Sequence, residues 1–315
     1  PHRDRAAGPA LRPQPGGHTI RQVAEGGTDH VGRCSLLPER RLCTHRPGSV
    51  VGVDVAGVSR SLNPTGGDHL IYLDFKTRYD LGRRIDEATA AGRREVAERL
   101  ESNRKRAGIL IADVSGHRGT DALVAAMLHQ AFLLGARYEL DVFGEITTHL
   151  FEQLNMRFYR TSSVNRYFTM IYGEVAEDGI FRFITAGHPA PVIFSPAKGT
   201  LTAPPRESLA AFPPVGVLPT GDDLDERGPV NPVGYKKQYR VNQIGPLQAG
   251  EVILLATDGF LEHGDGAFYP DAVRDCLAGS PDASAAELVE QLEARLMQVA
   301  APADDVTFVA IKKTT

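Results

Sequence analysis

The sequence "GILIADVSGHRGTDALVAAML" (residues 108–128) contains an apolar run that ends on an aspartate, a short polar corner and a second apolar segment. Residues 108–112 have the length and composition of a buried β-strand, and Asp113 follows them directly. A helix is predicted over residues 120–134, and its nearly uniform apolar surface indicates burial on most sides. An aspartate at the end of one strand is usually a turn or cap residue, so Asp113 alone indicates no function.

The composition is that of a globular chain without a dominant charge. The chain has 315 residues, of which 42% are hydrophobic and 23% charged, enough for one large domain or two modest ones. A net charge of -4 gives no general basic field, so neither nucleic acid nor an anionic membrane surface is expected as a partner. Three cysteines without CxxC spacing predict neither a disulfide framework nor a thiolate metal site. With no long apolar segment, a cytoplasmic protein is expected.

The order of the predicted elements indicates an α+β protein. Residues 1–30 are rich in Pro, Gly and Arg and are expected to form a disordered or loosely attached tail, whereas residues 31–315 are expected to form the folded domain. The Glu-Asp-Gly turn within residues 166–188 predicts a β-hairpin. Further strands are predicted over 49–59, 69–75, 251–260 and 304–312, and amphipathic helices over 145–159, expected at the surface, and 283–299.

Residues 76–106 differ in character from the segments around them. They contain ten Lys or Arg and six Asp or Glu, with Leu81, Ile85, Val96 and Leu100 on one helical stripe. This pattern predicts one charged amphipathic helix, or two hinged at Gly92, that projects from the core. Either a solvated helical excursion whose apolar stripe packs on the domain or an arm that binds a regulatory partner would fit.

Several carboxylates stand at the ends of predicted strands. Asp258 follows "VILLAT", the pair Asp304 and Asp305 precedes "VTFVAI", and Asp68 lies at the start of the strand that contains His69. If these strands share one rim, the like charges disfavour ionisation unless a cation neutralises them. Ligands that are all oxygen atoms favour a hard ion such as Mg²⁺ or Mn²⁺.

Five motifs, "TGGD", "ADVSGH", "AGHPAP", "ATDGFLE" and "ADDVTF", occur in an order that resembles the PPM family of metal-dependent protein serine/threonine phosphatases, most of all its SpoIIE/RsbU-like branch. The resemblance extends over about residues 31–315. It implies two packed antiparallel β-sheets flanked by α-helices, which agrees with the predicted hairpins. It makes residues 76–106 an insertion, because the family commonly joins these strands by a short turn.

The resemblance also implies a role for each site residue. Asp113 and Asp258 are the residues expected to be essential for catalysis, and two Mn²⁺ or Mg²⁺ ions are expected as cofactors. The implied metal ligands are Asp68, Asp113, the carbonyl of Val114, Asp258 and Asp304. The implied phosphate or substrate contacts are Ser115, Gly116, His117 and Arg118, the last of which replaces a glycine common in the family.

The implied activity is hydrolysis of phosphoserine or phosphothreonine by metal-activated water, typically on an anti-anti-sigma-type regulatory protein. Two other functions remain open at this point: a catalytically silent PPM-like binding or regulatory module, and a phosphoesterase that acts on small molecules. A cysteine phosphatase and a serine hydrolase are not indicated, because neither CxxxxxR nor GxSxG is present. His188 is expected to have a structural role.

Overall fold

The structure is a computed structural model that describes residues 41–44, 50–62, 66–114, 120–161, 167–221 and 234–314. The strands in these ranges are β1 (Arg41–Thr44), β2 (Val53–Arg60), β3 (Asp68–Asp74), β4 (Arg106–Val114), β5 (Phe168–Ala176), β6 (Phe181–Ala186), β7 (Val192–Ser195), β8 (Thr200–Thr202), β9 (Ala211–Phe212), β10 (Asn242–Ile244), β11 (Val252–Ala256) and β12 (Val306–Lys313). The helices are α1 (Phe75–Arg78), α2 (Leu81–Ala90), α3 (Arg94–Asn103), α4 (Thr120–Val142), α5 (Thr148–Thr161), α6 (Asp258–Leu261), α7 (Asp271–Ala278) and α8 (Ala285–Val299), with a 3₁₀ turn at Arg206–Ser208. The predicted tail over residues 1–30 and the polar corner over 115–118 lie outside the described residues.

The strands form two sheets. The first sheet has the order β1-β2-β12-β11-β7-β8, and the second has the order β10-β6-β5-β4-β3 with β9 beside β6. The ladders along both orders are antiparallel, and β9 pairs with β6 in parallel. The predicted hairpin is confirmed as β5 and β6.

Alternate residues of the central strands enter different layers of the core. In β4, Leu110 and Ala112 pack with helices α2 to α5, whereas Ile109 and Ile111 face the other sheet. In β11, Leu254 packs with α7 and α8, whereas Ile253 and Leu255 face the second sheet. A strand buried on both faces needs apolar residues at every position, which explains the continuous apolar runs in the sequence. The predicted α+β fold of two packed sheets flanked by helices is confirmed.

Helix α4 differs from its prediction in both length and burial. It continues to Val142, and one face, including Leu128 and Phe132, is buried against the second sheet. Leu123 and Leu134 are exposed on the opposite side. The prediction that this helix is buried on most sides is wrong, because it covers the outer face of a sheet and only one side of it meets the core.

The segment over residues 76–106 is helical but does not project. Helices α2 and α3 are separated around Gly92, whose φ of +71° is in the left-handed region that glycine tolerates. Leu81, Ala88 and Leu100 from these helices are buried in the core layer outside the second sheet. The expectation that the segment projects from the core is wrong, and the alternative in which its apolar stripe packs on the domain is confirmed.

Ion pairs and hydrogen bonds also hold this segment to α4 and the turn that follows it. Arg84 pairs with Asp141, Arg99 Nη1 lies 3.1 Å from Glu145 Oε1, and the Asn103 amide donates to the Gly144 carbonyl at 2.8 Å. The charges of Arg84 and Arg99 are therefore used in contacts within the domain. Among the described helices, none combines the length and the apolar character that crossing a bilayer requires.

Candidate active site

The acidic residues predicted from the sequence lie where strands begin or end. Asp68 is the first residue of β3 and is paired in register with Asp113, the penultimate residue of β4. In the first sheet, Asp258 follows β11 and Asp304 precedes β12. Because β11 and β12 are antiparallel neighbours, the end of one strand lies beside the start of the other. Each sheet therefore brings two of the predicted acids to one edge.

Hydrogen bonds between the sheets bring these two edges together. Thr257, the residue that precedes Asp258, donates through Oγ1 to Asp68 Oδ2 at 3.0 Å. The Asp305 carboxylate accepts from the backbone N–H groups of Leu62 and Gly67, each at 2.6 Å. The acidic ends of both sheets consequently meet at one rim of the domain, which we call the acidic rim (Asp68, Asp113, Asp258, Asp304 and Asp305).

Two glycines permit the close approach of backbones at the acidic rim. A Cβ atom at Gly67 would lie 2.8 Å from the carbonyl oxygen of Val114 and 3.7 Å from Asp113 Oδ1. A Cβ atom at Gly259 would lie 2.0 Å from the Asp305 carbonyl oxygen. Larger residues at these positions would push the acidic segments apart. The space beside Gly67 is lined by a carboxylate and a carbonyl oxygen, which are the donors that a hard cation prefers.

Burial makes the charge of Asp68 costly. The residue is only 4% exposed, and burial raises the pKa of its carboxyl group well above the ordinary value. The negative charges of Asp113 and Asp305 raise this pKa further, whereas hydrogen bonds from Thr307 and Thr257 oppose the shift. A buried carboxylate beside like charges requires a proton or a cation for its neutralisation. The electrostatics of the acidic rim therefore fit a bound divalent cation.

The remaining predicted ligands differ in environment. Asp258 is exposed and accepts a hydrogen bond from the N–H of Gly259 at 2.9 Å, whereas Asp304 is half-buried and accepts from the N–H of Asp305 at 2.8 Å. Among the described residues, no group of three or more His, Cys, Asp or Glu side chains is close enough to form a complete metal cluster. The assignment of individual ligands stays a prediction. Ser115, Gly116, His117 and Arg118 lie outside the described residues.

Asp305 and Thr257 have roles at the acidic rim that the sequence analysis did not predict. Asp305 holds the turn that precedes Asp68, and Thr257 connects β11 to Asp68. The "DD" pair before β12 was a visible signal, but the hydrogen bonds of Asp305 depend on a segment more than 230 residues away in the chain.

His188 is buried, and its Nδ1 lies 3.1 Å from Thr169 Oγ1. Burial lowers the pKa of its imidazole to about 3, so the ring is neutral at pH 7. These contacts agree with the predicted structural role.

Solved structures with the same fold include several phosphatases. The RsbU and RsbW domains of a Mycobacterium tuberculosis protein match with a TM-score of 0.55 and 20% identity over 85% of this chain and 63% of that chain. The PP2C phosphatase domain, with a regulatory fragment, of SpoIIE from Bacillus subtilis matches with a TM-score of 0.55 and 14% identity over 82% and 62%. RsbX in complex with magnesium matches with a TM-score of 0.50 and 13% identity over 86% and 98%. The chain thus spans less than two thirds of the length of the first two proteins.

At these identities the solved structures establish the fold alone. Comparison with curated protein sequences gives no significant match. The model of the family described as Stage II sporulation protein E (SpoIIE) matches residues 103–314, about two thirds of the chain, and this match includes Asp113, Asp258 and Asp304. The chain therefore belongs to the family described as Stage II sporulation protein E (SpoIIE).

Proposed function

We propose that this chain hydrolyses phosphoserine or phosphothreonine in a protein substrate with the help of two divalent cations. The observation that carries the proposal is the acidic rim, where Asp68 and Asp113 of one sheet meet Asp258 and Asp304 of the other. The charge and the oxygen chemistry of this rim match Mg²⁺ or Mn²⁺ better than softer ions. A silent binding module has no need for a buried Asp68 carboxylate beside the like charge of Asp113, so the acidic rim favours the enzyme.

The ligands divide into two sets in this proposal. Asp113 would contribute to both ion sites, Asp68 and the Val114 carbonyl would hold one ion, and Asp258 and Asp304 would hold the other. When bound, the ions would supply Lewis acidity, a water nucleophile near neutral pH and stabilisation of the phosphoryl oxygens. A nucleophilic side chain is then unnecessary.

The chain itself orients the ligands in this scheme. Asp305 holds the backbone of Gly67 and Asp68, and the Thr257 hydroxyl aligns the Asp68 carboxylate. The narrow space left by Gly67 keeps the Val114 carbonyl accessible. Ser115, Gly116, His117 and Arg118 follow the proposed ligands Asp113 and Val114 in the sequence, so we assign them to contact the phosphate group. An arginine there would offer two parallel N–H donors to phosphate oxygens.

The proposed substrate is a phosphorylated anti-anti-sigma-type protein, acting in sigma factor regulation in the cytoplasm. Support comes from the motifs "ADVSGH", "AGHPAP" and "ATDGFLE", which resemble the SpoIIE/RsbU-like branch, and from the family match. The fold sets no substrate, because specificity depends on the surfaces around the site.

The first test of the proposal is hydrolysis of p-nitrophenyl phosphate and a phosphoserine peptide with Mn²⁺, Mg²⁺ or EDTA. We expect metal-dependent turnover, and we expect Asp113→Asn to lower kcat by at least about a hundredfold because the variant weakens both ion sites. Asp86→Asn, on the exposed face of α2, is the matched control and should retain full activity. Metal-independent turnover, or normal turnover in Asp113→Asn, would contradict the proposal.

A panel of phosphorylated anti-anti-sigma proteins from the same genome tests the substrate assignment separately. At least one should lose its phosphate faster than an unrelated phosphopeptide. If none does, the substrate assignment is wrong, and the phosphatase chemistry is judged by the first experiment alone.

A further inference from the structure

A buried ion pair lies outside the acidic rim and has no part in the proposed chemistry. Lys236 Nζ donates to Glu152 Oε2 at 2.6 Å and to the Lys237 carbonyl oxygen at 3.2 Å, and it lies 3.5 Å from the centroid of the Tyr239 ring. The Lys236 side chain is completely buried, and burial lowers the pKa of its ammonium group while Glu152 opposes the shift. These three contacts use the ammonium hydrogens, so Lys236 fixes the local structure and is not itself available to a ligand.

Glu152 of α5 fastens two chain segments, which we call the first arm (residues 215–221) and the second arm (residues 234–240). Its Oε2 also accepts from Thr220 Oγ1 at 2.6 Å in the first arm, and its Oε1 accepts from the N–H of Tyr239 at 2.5 Å in the second arm. Asn155, one turn further along α5, accepts from the N–H of Gly216 at 3.0 Å. Loss of one partner would leave a buried charge unpaired, so α5 holds both arms rigidly.

The two arms line a pocket with positive charge at its mouth. The pocket has a volume of about 490 Å³ and is lined by Thr220, Gly221 and residues 236–240, none of which is acidic. Lys237 and Arg240 are exposed. Within the described part of the chain, neither of these two side chains has an ion-pair partner, whereas the charge of Lys236 is balanced by Glu152. Among the described residues, the pocket therefore offers two cations without an ion-pair partner, Lys237 and Arg240, on a rigid support.

The pocket lies within reach of the acidic rim. Val215 of the first arm pairs with Phe168, which pairs with Val114 at the end of β4. Two steps between neighbouring strands cover about 10 Å, and the five residues from Val215 to Thr220 span at most about 17 Å. An extended peptide of about eight residues covers this combined distance.

We propose that this pocket binds a carboxylate-rich segment of the phosphoprotein substrate while its phosphorylated residue occupies the acidic rim. The inference rests on the proposed function and adds a specificity site to it. Lys237 and Arg240 attract Asp or Glu side chains located within about eight residues of the phosphorylated residue. The pocket would therefore select substrates by the position of their acidic residues relative to the phosphorylated residue.

The test measures binding without turnover. A fluorescein-labelled, unphosphorylated peptide with four glutamates and a matched peptide with four glutamines are titrated with the full chain, and fluorescence anisotropy is recorded at 50 and 200 mM NaCl. The wild type should bind the glutamate peptide at least about fivefold more tightly, with a preference that weakens in the higher salt. Lys237→Glu combined with Arg240→Glu should abolish the preference, and the double alanine variant should reduce it.

Lys198→Glu combined with Arg295→Glu is the control. It makes the same change in net charge at two exposed positions, one after β7 of the first sheet and one in α8. This control should retain the preference for glutamate. Equal binding of both peptides by the wild type, or an equal loss of preference in the control, would overturn the proposal.

Phosphopeptide kinetics give a second readout. In the presence of Mn²⁺, Lys237→Glu combined with Arg240→Glu should lower kcat/KM for an acidic phosphoserine peptide at least about fivefold more than for a neutral phosphoserine peptide. If the wild type hydrolyses neither peptide, the proposed phosphatase function fails, and the anisotropy result still decides whether the pocket binds carboxylates.

Discussion

At the scale of single residues, His188 gives a prediction about stability that is independent of metal binding. Its folded-state pKa of about 3 lies below the ordinary value of 6.5. The unfolded chain therefore binds a proton on acidification that the folded chain does not bind, and stability is lost as the pH falls below about 6.5. From pH 7 to pH 5 this effect should lower the free energy of unfolding by about 2 kcal/mol.

Chemical denaturation of the wild type and His188→Asn at both pH values measures this contribution. The variant should be less stable at pH 7 but should lose about 2 kcal/mol less than the wild type on acidification. Equal losses in the two proteins would show that the imidazole does not remain neutral in the fold. Arg182, which is exposed on β6, provides a control substitution to Gln that should leave the pH dependence unchanged.

At the scale of secondary structure elements, Leu100 tests whether the α2–α3 segment belongs to the core. The side chain is 1% exposed and packs in the layer outside the second sheet. Leu100→Ala should cost about 3 kcal/mol because it removes buried methyl groups and leaves a cavity. Glu98→Ala, on the exposed side of α3, should change stability by less than about 0.5 kcal/mol.

Urea denaturation measures both variants. If Leu100→Ala lowers the free energy of unfolding by less than about 1 kcal/mol, the α2–α3 segment is not part of the core.

The elements show what the sequence could and could not predict. The apolar runs of β4 and β11 and the turn between β5 and β6 are local signals, so the presence of these strands was predicted. The predicted strand over 251–260 was too long, because β11 ends at Ala256 and residues 258–261 form α6. The packing partners of α3 could not be named from the sequence, because Glu145 and Gly144 lie about 40 residues further along the chain. Local periodicity indicates which face of a helix is apolar, but it does not indicate what that face will contact.

The same limit applies to the acidic rim. Four aspartates next to strand ends could be selected from the sequence, since strand ends are visible as boundaries of apolar runs. Their meeting at one rim depends on the contact between the two sheets, which the hydrogen bond from Thr257 to Asp68 reports. The hydrogen bonds from Leu62 and Gly67 to Asp305 depend on the same contact. Local sequence patterns contain no information about this contact between the sheets.

At the scale of the whole molecule, the proposed ions would connect the two sheets, because Asp68 and Asp113 belong to one sheet and Asp258 and Asp304 precede or follow strands of the other. Divalent cations should therefore stabilise the entire domain against unfolding. At a free ion concentration one hundred times Kd, the free energy of unfolding should increase by about 2.7 kcal/mol. This corresponds to an increase in Tm of about 5 °C for a domain of this size.

The Asp113→Asn variant shows whether Asp113 stabilises the domain by binding the ions or by supporting the fold directly. In EDTA, the substitution removes a charge that repels the buried Asp68, so the Tm of the variant should equal or exceed that of the wild type. In Mn²⁺, the variant should gain less than half of the wild-type increase in Tm, because the proposed function makes Asp113 a ligand of both ions. Differential scanning calorimetry of both proteins in EDTA and Mn²⁺ measures the four values. A variant that is less stable in EDTA and gains the same increase in Mn²⁺ would show that Asp113 supports the fold but does not bind the ions.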